Sequence, residues 1–339
     1  MKGRSLAAVG CSLILLVAGC GSGGEDPVST ATPSAVQPSS TVAPTDSDGI
    51  TTQSDDYPTW SAIEGLETPR DDFGTAIIGT DIWVLGGMTG ERGNRLVSIE
   101  ILDTTSGTWT TSDLEMPVGV ASFEVITRGP LIYAFGGFDA ASQATDFSAV
   151  LDTRTGRWRT LPPLPHARYA HTVTLYGGLV YAIGGRDLDG EVAEVDVFDP
   201  ASETWTTLDR PMPRARDSHK TVATPQGLYV TGGQTEFVDS SLVDVLDPAT
   251  GRWTALPDLP EPMSRAGLAY AQGKLWITLH ESAYVADATD PTTWEEANAL
   301  TISRHGMGFV VLDGFLYSIG GCALNPLRDV RTVDRLELA

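Results

Sequence analysis

From residue 57 onward the hydrophobic positions fall into runs of four to seven residues, rich in β-branched and aromatic side chains and punctuated by Gly, Pro and Asp. Runs that short, bounded that way, predict β-strands. The third unit of the chain shows the pattern in full. Tyr169 to Leu175 reads as a strand A, and Tyr176-Gly177-Gly178 as a hairpin turn. Leu179 to Ile183 reads as strand B and ends in Gly184-Gly185. Val195 to Phe198 reads as strand C, Asp199-Pro200 opens a tight turn, and strand D begins at Trp205. No segment of this region predicts a helix of two turns or more.

The unit recurs. Gly pairs stand at 86–87, 136–137, 184–185, 232–233 and 320–321, with room for one degenerate copy where Leu279-His280 takes their place. Three residues before each pair lies an aromatic: Trp83, Tyr133, Tyr181, Tyr229 and Tyr317, with Trp276 in the fifth copy. A second aromatic series, Trp60, Trp109, Trp158, Trp205, Trp253 and Trp294, steps by 41 to 49 residues. Asp turns precede it at Asp103, Asp152, Asp199, Asp247 and Asp287. A sheet of four short strands cannot bury its two apolar faces alone, whereas a ring of such sheets buries both.

The Gly pair, spaced aromatic, Asp turn and Trp together resemble the Kelch repeat, over about residues 57–339. The resemblance implies an all-β, six-bladed β-propeller, one repeat per blade. Trp60 to Ile63 reads as a strand D with nothing before it, and the chain ends in a strand C. The N-terminal strand is therefore expected to close the ring by pairing in the C-terminal blade.

The segment before the array has a different character. Lys2 and Arg4 precede an uncharged apolar stretch from Leu6 to Gly19, too short to span a bilayer comfortably but of secretory length. It ends in Leu16-Val17-Ala18-Gly19-Cys20, which resembles the bacterial lipobox. Residues 1–19 are read as a lipoprotein signal peptide, Cys20 as the lipidated (palmitate-bearing) anchor, and 20–56 as a tether. Residues 21–56 hold no aromatic, Lys or Arg and are rich in Ser, Thr, Pro and Gly, so they cannot bury enough surface to order themselves. The expected location is the cell membrane, lipid-anchored and facing the extracytoplasmic side.

Charge narrows the partners. The chain has 22 Lys and Arg against 44 Asp and Glu, a net charge of −22; cleavage after Gly19 removes two bases and gives 44 − 20, or −24. Phosphate backbones repel such a surface, so no nucleic-acid partner is expected. Cleavage also leaves only Cys20 and Cys322, so with Cys20 lipidated no intrachain disulfide is expected, and Cys322 reads as a buried thiol.

Candidate chemistry is sparse. An Arg stands 16 residues before the Gly pair in four units, at Arg70, Arg168, Arg216 and Arg304, with Arg265 near that place in the fifth and Val120 in the second. His171, His219 and His305 stand close by. These eight are the ligand-binding candidates. The ring geometry is expected to point the five Arg toward one mouth of the central channel, where they would take an acidic ligand. The resemblance also implies that such an Arg braces blades. No metal cluster, phosphate loop or nucleophile motif is present, so no cofactor, metal or catalytic residue is assigned. Two readings follow: a non-catalytic module binding an envelope protein or a glycan, and an enzyme resembling Kelch-type sialic-acid epimerases. In the second, His171, His219 or Glu124 would be the base.

Overall fold

In the computed structural model the described residues are 56–338, apart from Glu91 and Asn325. The expected leader and the tether up to residue 55 lie outside them. No helix among the described residues is long and apolar enough to cross a membrane.

The described residues form six four-stranded antiparallel sheets, called blades one to six in chain order. In the third, Thr172–Tyr176, Leu179–Ile183, Val195–Asp199 and Thr204–Thr207 are strands A to D, close to the segments predicted. The six A strands are Gly74–Ile78, Glu124–Arg128, Thr172–Tyr176, Lys220–Thr224, Gly267–Ala271 and Gly308–Leu312. Each packs beside the next, and the last beside the first. The sixth blade takes its D strand from the other end of the chain: Ser61–Ile63 pairs antiparallel with Val333–Glu337, Ala62 opposite Asp334.

Two cycles of backbone hydrogen bonds stitch the blades together at one end of the ring. In the inner cycle a residue just before each A strand donates its N–H to the same position one blade back. Ser122 donates to Asp72 (2.8 Å), Ala170 to Ser122 (2.8 Å), Ser218 to Ala170 (2.7 Å) and Arg265 to Ser218 (2.8 Å). Gly306 donates to Arg265 and Asp72 to Gly306, both at 3.1 Å, which closes the circle. All six have left-handed φ, between 49° and 63°, although only one is Gly. A conformation that costly for a side-chain-bearing residue persists only where its surroundings fix it.

In the outer cycle the second Gly of each pair donates to the carbonyl two positions before the inner-cycle residue of the following blade, as Gly137 does to Arg168 (2.8 Å) and Gly185 to Arg216 (3.1 Å). A Cβ on Gly185 would stand 2.7 Å from the Tyr169 carbonyl oxygen, and its φ is 99°, so both space and backbone call for glycine. His280 fills this place in the fifth blade, at φ 54°, and donates to Arg304 (3.1 Å).

The core lies between neighbouring blades. Trp83 from blade one packs with Phe123, Val125 and Ile132 from blade two. Fully burying such a side chain contributes roughly 1.5–3 kcal/mol. Four Trp of the second series donate an indole N–H to the loop entering a blade: Trp109 to Glu64 (2.9 Å), Trp205 to Pro162 (3.0 Å), Trp253 to Arg210 (3.4 Å) and Trp60 to Asn298 (3.0 Å). Trp60, near the chain's start, thus does in the sixth blade what the others do in theirs.

Candidate functional site

Because every sheet is antiparallel and the A strands follow one another around the ring, the A–B and C–D turns share one face. The D–A and B–C loops share the other.

On the turn face, Asp side chains satisfy the backbone that they bend. Asp103 accepts from the N–H of Thr105 (2.8 Å) and Ser106 (3.2 Å), and Asp199, Asp247 and Asp287 accept from the N–H two residues on. These bonds hold the Asp103, Asp199 and Asp247 carboxyls below their ordinary range, led by backbone N–H at the first two and by the Thr250 hydroxyl at the third.

At the loop end, four of the five Arg are turned into the blades rather than toward the mouth. Arg70, Arg168, Arg216 and Arg304 have no solvent exposure. Each pairs with a carboxylate on strand C of its own blade: Arg70 with Glu100 (2.5 Å), Arg168 with Asp196, Arg216 with Asp244 (2.9 Å) and Arg304 with Asp334 (2.9 Å). Their remaining donors reach backbone carbonyls, as Arg168 does to Gly184 (3.0 Å) and Glu194 (2.9 Å). Burial pulls these guanidinium pKa values down, against the pull of the carboxylates. The expectation that they point into the channel is corrected: a guanidinium with no exposed surface, engaged by a carboxylate and carbonyls, holds its blade together.

Arg265 is a different residue in the frame. The outer-cycle carbonyl of blade five belongs to Met263, which accepts from Gly233 (2.8 Å), so Met263 corresponds to the bracing Arg. Arg265 lies two places on, in the inner cycle, with Asp72, Ser122, Ala170, Ser218 and Gly306. It alone of the five faces the channel, where Asp72, then Asp71 and Asp217, raise its pKa. The cavity here is lined by Asp72, Ser122, Glu124, His171, His219, Lys220 and Arg265 and measures about 40 Å³. Glu124 and Lys220 meet across it at 3.5 Å.

The His candidates divide. His171 and His219 are 2% and 1% exposed, and burial, then Arg168 and Arg216 respectively, pushes both well below 6.5. His305 approaches His280, Nδ1 to Nε2 at 3.2 Å, on the floor left where His280 and Glu281 alone connect strands B and C of blade five. Burial brings His305 down to about 4.

The one group of metal-ligating side chains among the described residues is Asp71, Asp329 and Cys322, with ligand atoms within 4.8 Å of one another. The Cys322 sulfur, however, is disulfide-bonded, which corrects the expectation of a thiol. Both Asp71 oxygens are buried without a hydrogen bond, and burial followed by Asp72 raises that carboxyl well above 3.8.

The loop face also holds what the sequence did not single out. The exposed large hydrophobic side chains among the described residues are Val118, Leu188, Phe237, Val238, Ile302, Leu324 and Leu327. All seven lie in D–A or B–C loops, and none in an A–B or C–D turn.

Comparison with known proteins agrees with this architecture. The model of the KLHDC2/KLHL20/DRC7 Kelch-repeats domain matches residues 72–278, more than half of the chain. The Kelch-like protein terF of Aspergillus terreus (strain NIH 2624 / FGSC A1156) is 33% identical over 113 residues, which are 31% of this chain and 24% of that protein. The match thus spans about a quarter of the relative's length. Repeating Gly pairs, interblade aromatics and the matched domain model together show that the chain belongs to the Kelch-repeat family.

Proposed function

We propose that this protein is a non-catalytic, protein-binding scaffold that engages its partner through the D–A/B–C loop face. The carrying observation is the segregation of every exposed large hydrophobic side chain to that face. Apolar side chains left in water on one side of a rigid frame are what a partner would cover. A scaffold role is also what the Kelch-repeat family suggests. The enzyme reading gains less support. The loop-end cavity of about 40 Å³ admits about three water molecules, far below the roughly 300 Å³ of small-molecule sites, and the hollow of about 380 Å³ beside Asp287 and Thr289 is lined by none of the candidate residues. The loop-end cavity's two buried imidazoles are weak bases, since burial holds both well below 6.5, and Glu124 is engaged by Lys220.

The test is affinity capture with the full chain and two variants. One carries Ser at Leu188, Phe237, Val238, Leu324 and Leu327; the other carries Ser at exposed Thr155 and Thr250 of the turn face. A defined protein held by the wild type and the turn-face variant but lost by the loop-face variant supports the reading. Equal retention by all three contradicts it.

We further propose that residues 1–19 are cleaved and Cys20 is lipidated, so that 20–56 tether the propeller outside the cell membrane. The lipobox-like Leu16 to Cys20 supports this. The 36 residues from 21 to 56, beyond the anchoring Cys20, reach about 30–36 Å. A diacylglyceryl mass on an N-terminal Cys20 peptide supports the anchor; an unmodified Cys20 within an uncleaved chain contradicts it.

A further inference from the structure

Resting on the scaffold reading, we infer that Phe237 is the anchor of a preformed docking platform on blades three and four, and that its partner is a protein offering an apolar pocket rimmed by basic side chains.

Phe237 sits at the tip of a hairpin in which Gln234–Thr235 pairs with Val238–Asp239. The two turn residues are Glu236 at φ 51° and Phe237 at φ 64°. A two-residue turn with both central φ values positive is the place for Asn-Gly or Gly-Gly. A bulky aromatic there is sterically costly, and it is also 62% exposed beside Val238 at 68%. Neither local geometry nor burial explains Phe at this position.

The hairpin is held in place by the neighbouring loop. Arg186 of blade three lies over the Phe237 ring, 4.0 Å from its centre. The same Arg186 pairs with Glu191 (2.5 Å) and Asp217 (3.3 Å), and Glu191 accepts from the Glu236 N–H at 2.7 Å. Leu188, 64% exposed, crowns that neighbouring loop. The platform is therefore ordered before any partner arrives, which lowers the entropic cost of binding.

Blades one and two supply a control within the molecule. Arg95 lies over Phe138 at 4.1 Å, the same tie between successive B–C loops, but Phe138 is only 4% exposed and packs against Tyr169. Tying two loops together does not require an exposed ring. Phe237 offers to solvent the surface that Phe138 buries.

Charge selects the occupant. Arg186 is already engaged by two carboxylates, while Asp187, Asp189, Glu236 and Asp239 surround the apolar tips. A second copy of this chain, at −22, or an anionic membrane would bring like charge to the platform. A basic-rimmed protein pocket matches both its parts, apolar centre and acidic border.

The experiment uses the full chain in the cells that make it, with p-benzoylphenylalanine placed in turn at positions 237, 324 and 155. The protein crosslinked from 237 is identified, purified and titrated against wild type and Phe237→Gly. The expected result is a single partner whose crosslinked residue adjoins Lys or Arg, roughly tenfold or greater loss of affinity in Phe237→Gly, and weakening as salt rises. Phe237→Gly should keep or raise the melting temperature, since Gly relieves the turn. A fall in melting temperature with unchanged affinity would assign Phe237 to the fold and overturn the inference. Adducts from 324 but not 237 overturn the platform and leave the loop-face reading standing. Adducts only from 155 overturn both, adducts from no position overturn the platform, and a self-adduct or an acidic contact overturns the assigned partner chemistry.

Discussion

The two faces of the ring solve the same problem with different consequences. On the turn face the chain reverses in tight Asp turns whose carboxylates cap the backbone they bend, and among the described residues no large hydrophobic is left exposed there. The loop face is reinforced more heavily, by two hydrogen-bond cycles and four buried ion pairs, yet it carries all seven exposed large hydrophobics. Rigidity beneath and unburied apolar surface above is the arrangement of a binding platform on a fixed frame. The difference teaches that charge at this end mainly builds the frame, while apolar tips supply the candidate contacts.

The largest test asks whether both faces belong to one closed ring. Deleting residues 57–64 removes the Ser61–Ile63 strand and the Trp60 indole bond to Asn298. Thermal unfolding should then lose its cooperative transition or shift it far downward; a truncated chain that melts like the intact one would break the closure and, with it, the shared face.

Next comes the division between frame and contact. Arg304→Ala strands Asp334 in the interior, and breaking a buried pair from one side costs about 3–5 kcal/mol. Leu324→Ser with Leu327→Ser should leave chemical denaturation unchanged, because both side chains are 44% exposed. The reverse ranking would erase the distinction.

A pH experiment sharpens the comparison at the loop end. Burial lifts Asp329 to about 6 from an ordinary 3.8, with Asp72 adding to it against the Gly90 N–H. A carboxyl whose folded pKa is raised binds its proton more tightly in the folded state. Its contribution is fully present below the unfolded pKa and is lost as pH rises through about 6. Asp329→Asn should therefore raise the melting temperature at neutral pH and leave it unchanged near pH 4, as scanning calorimetry at the two values would show. Equal shifts at both would mean that titration is not the cause. The smallest expected effect is Phe237→Gly, where relief of the left-handed turn offsets loss of the Arg186 contact and stability should rise by no more than about 1 kcal/mol.

The array was legible in the sequence because each constraint recurs. A Gly pair that must pass close to a neighbouring backbone, and a Trp that must fill the space between blades, come round every blade. The loop face does not repeat, and there the reading ran out. Its Arg set was visible but not its direction, although the partners were also written in the chain. Where blades two and five lack the Arg, at Val120 and Met263, they also lack the strand-C acid, at Ala149 and Tyr284. Arg265 was grouped with the four because it lies near their place, although 16 residues back from Leu279 stands Met263. The Gln234 to Ser241 loop is polar and long in the sequence, but nothing in a single Phe tells that φ is 64° and the ring is exposed.

The most direct test of the loop-face claim needs no knowledge of the partner: hydroxyl-radical footprinting of the full chain in intact cells and after purification. The account predicts that Phe237, Leu188 and Leu324 are oxidised more slowly in cells, while half-buried Tyr176 and Phe315, which flank A–B turns, react equally in both. Equal oxidation of Phe237 in the two samples, or protection confined to the turn face, would contradict it.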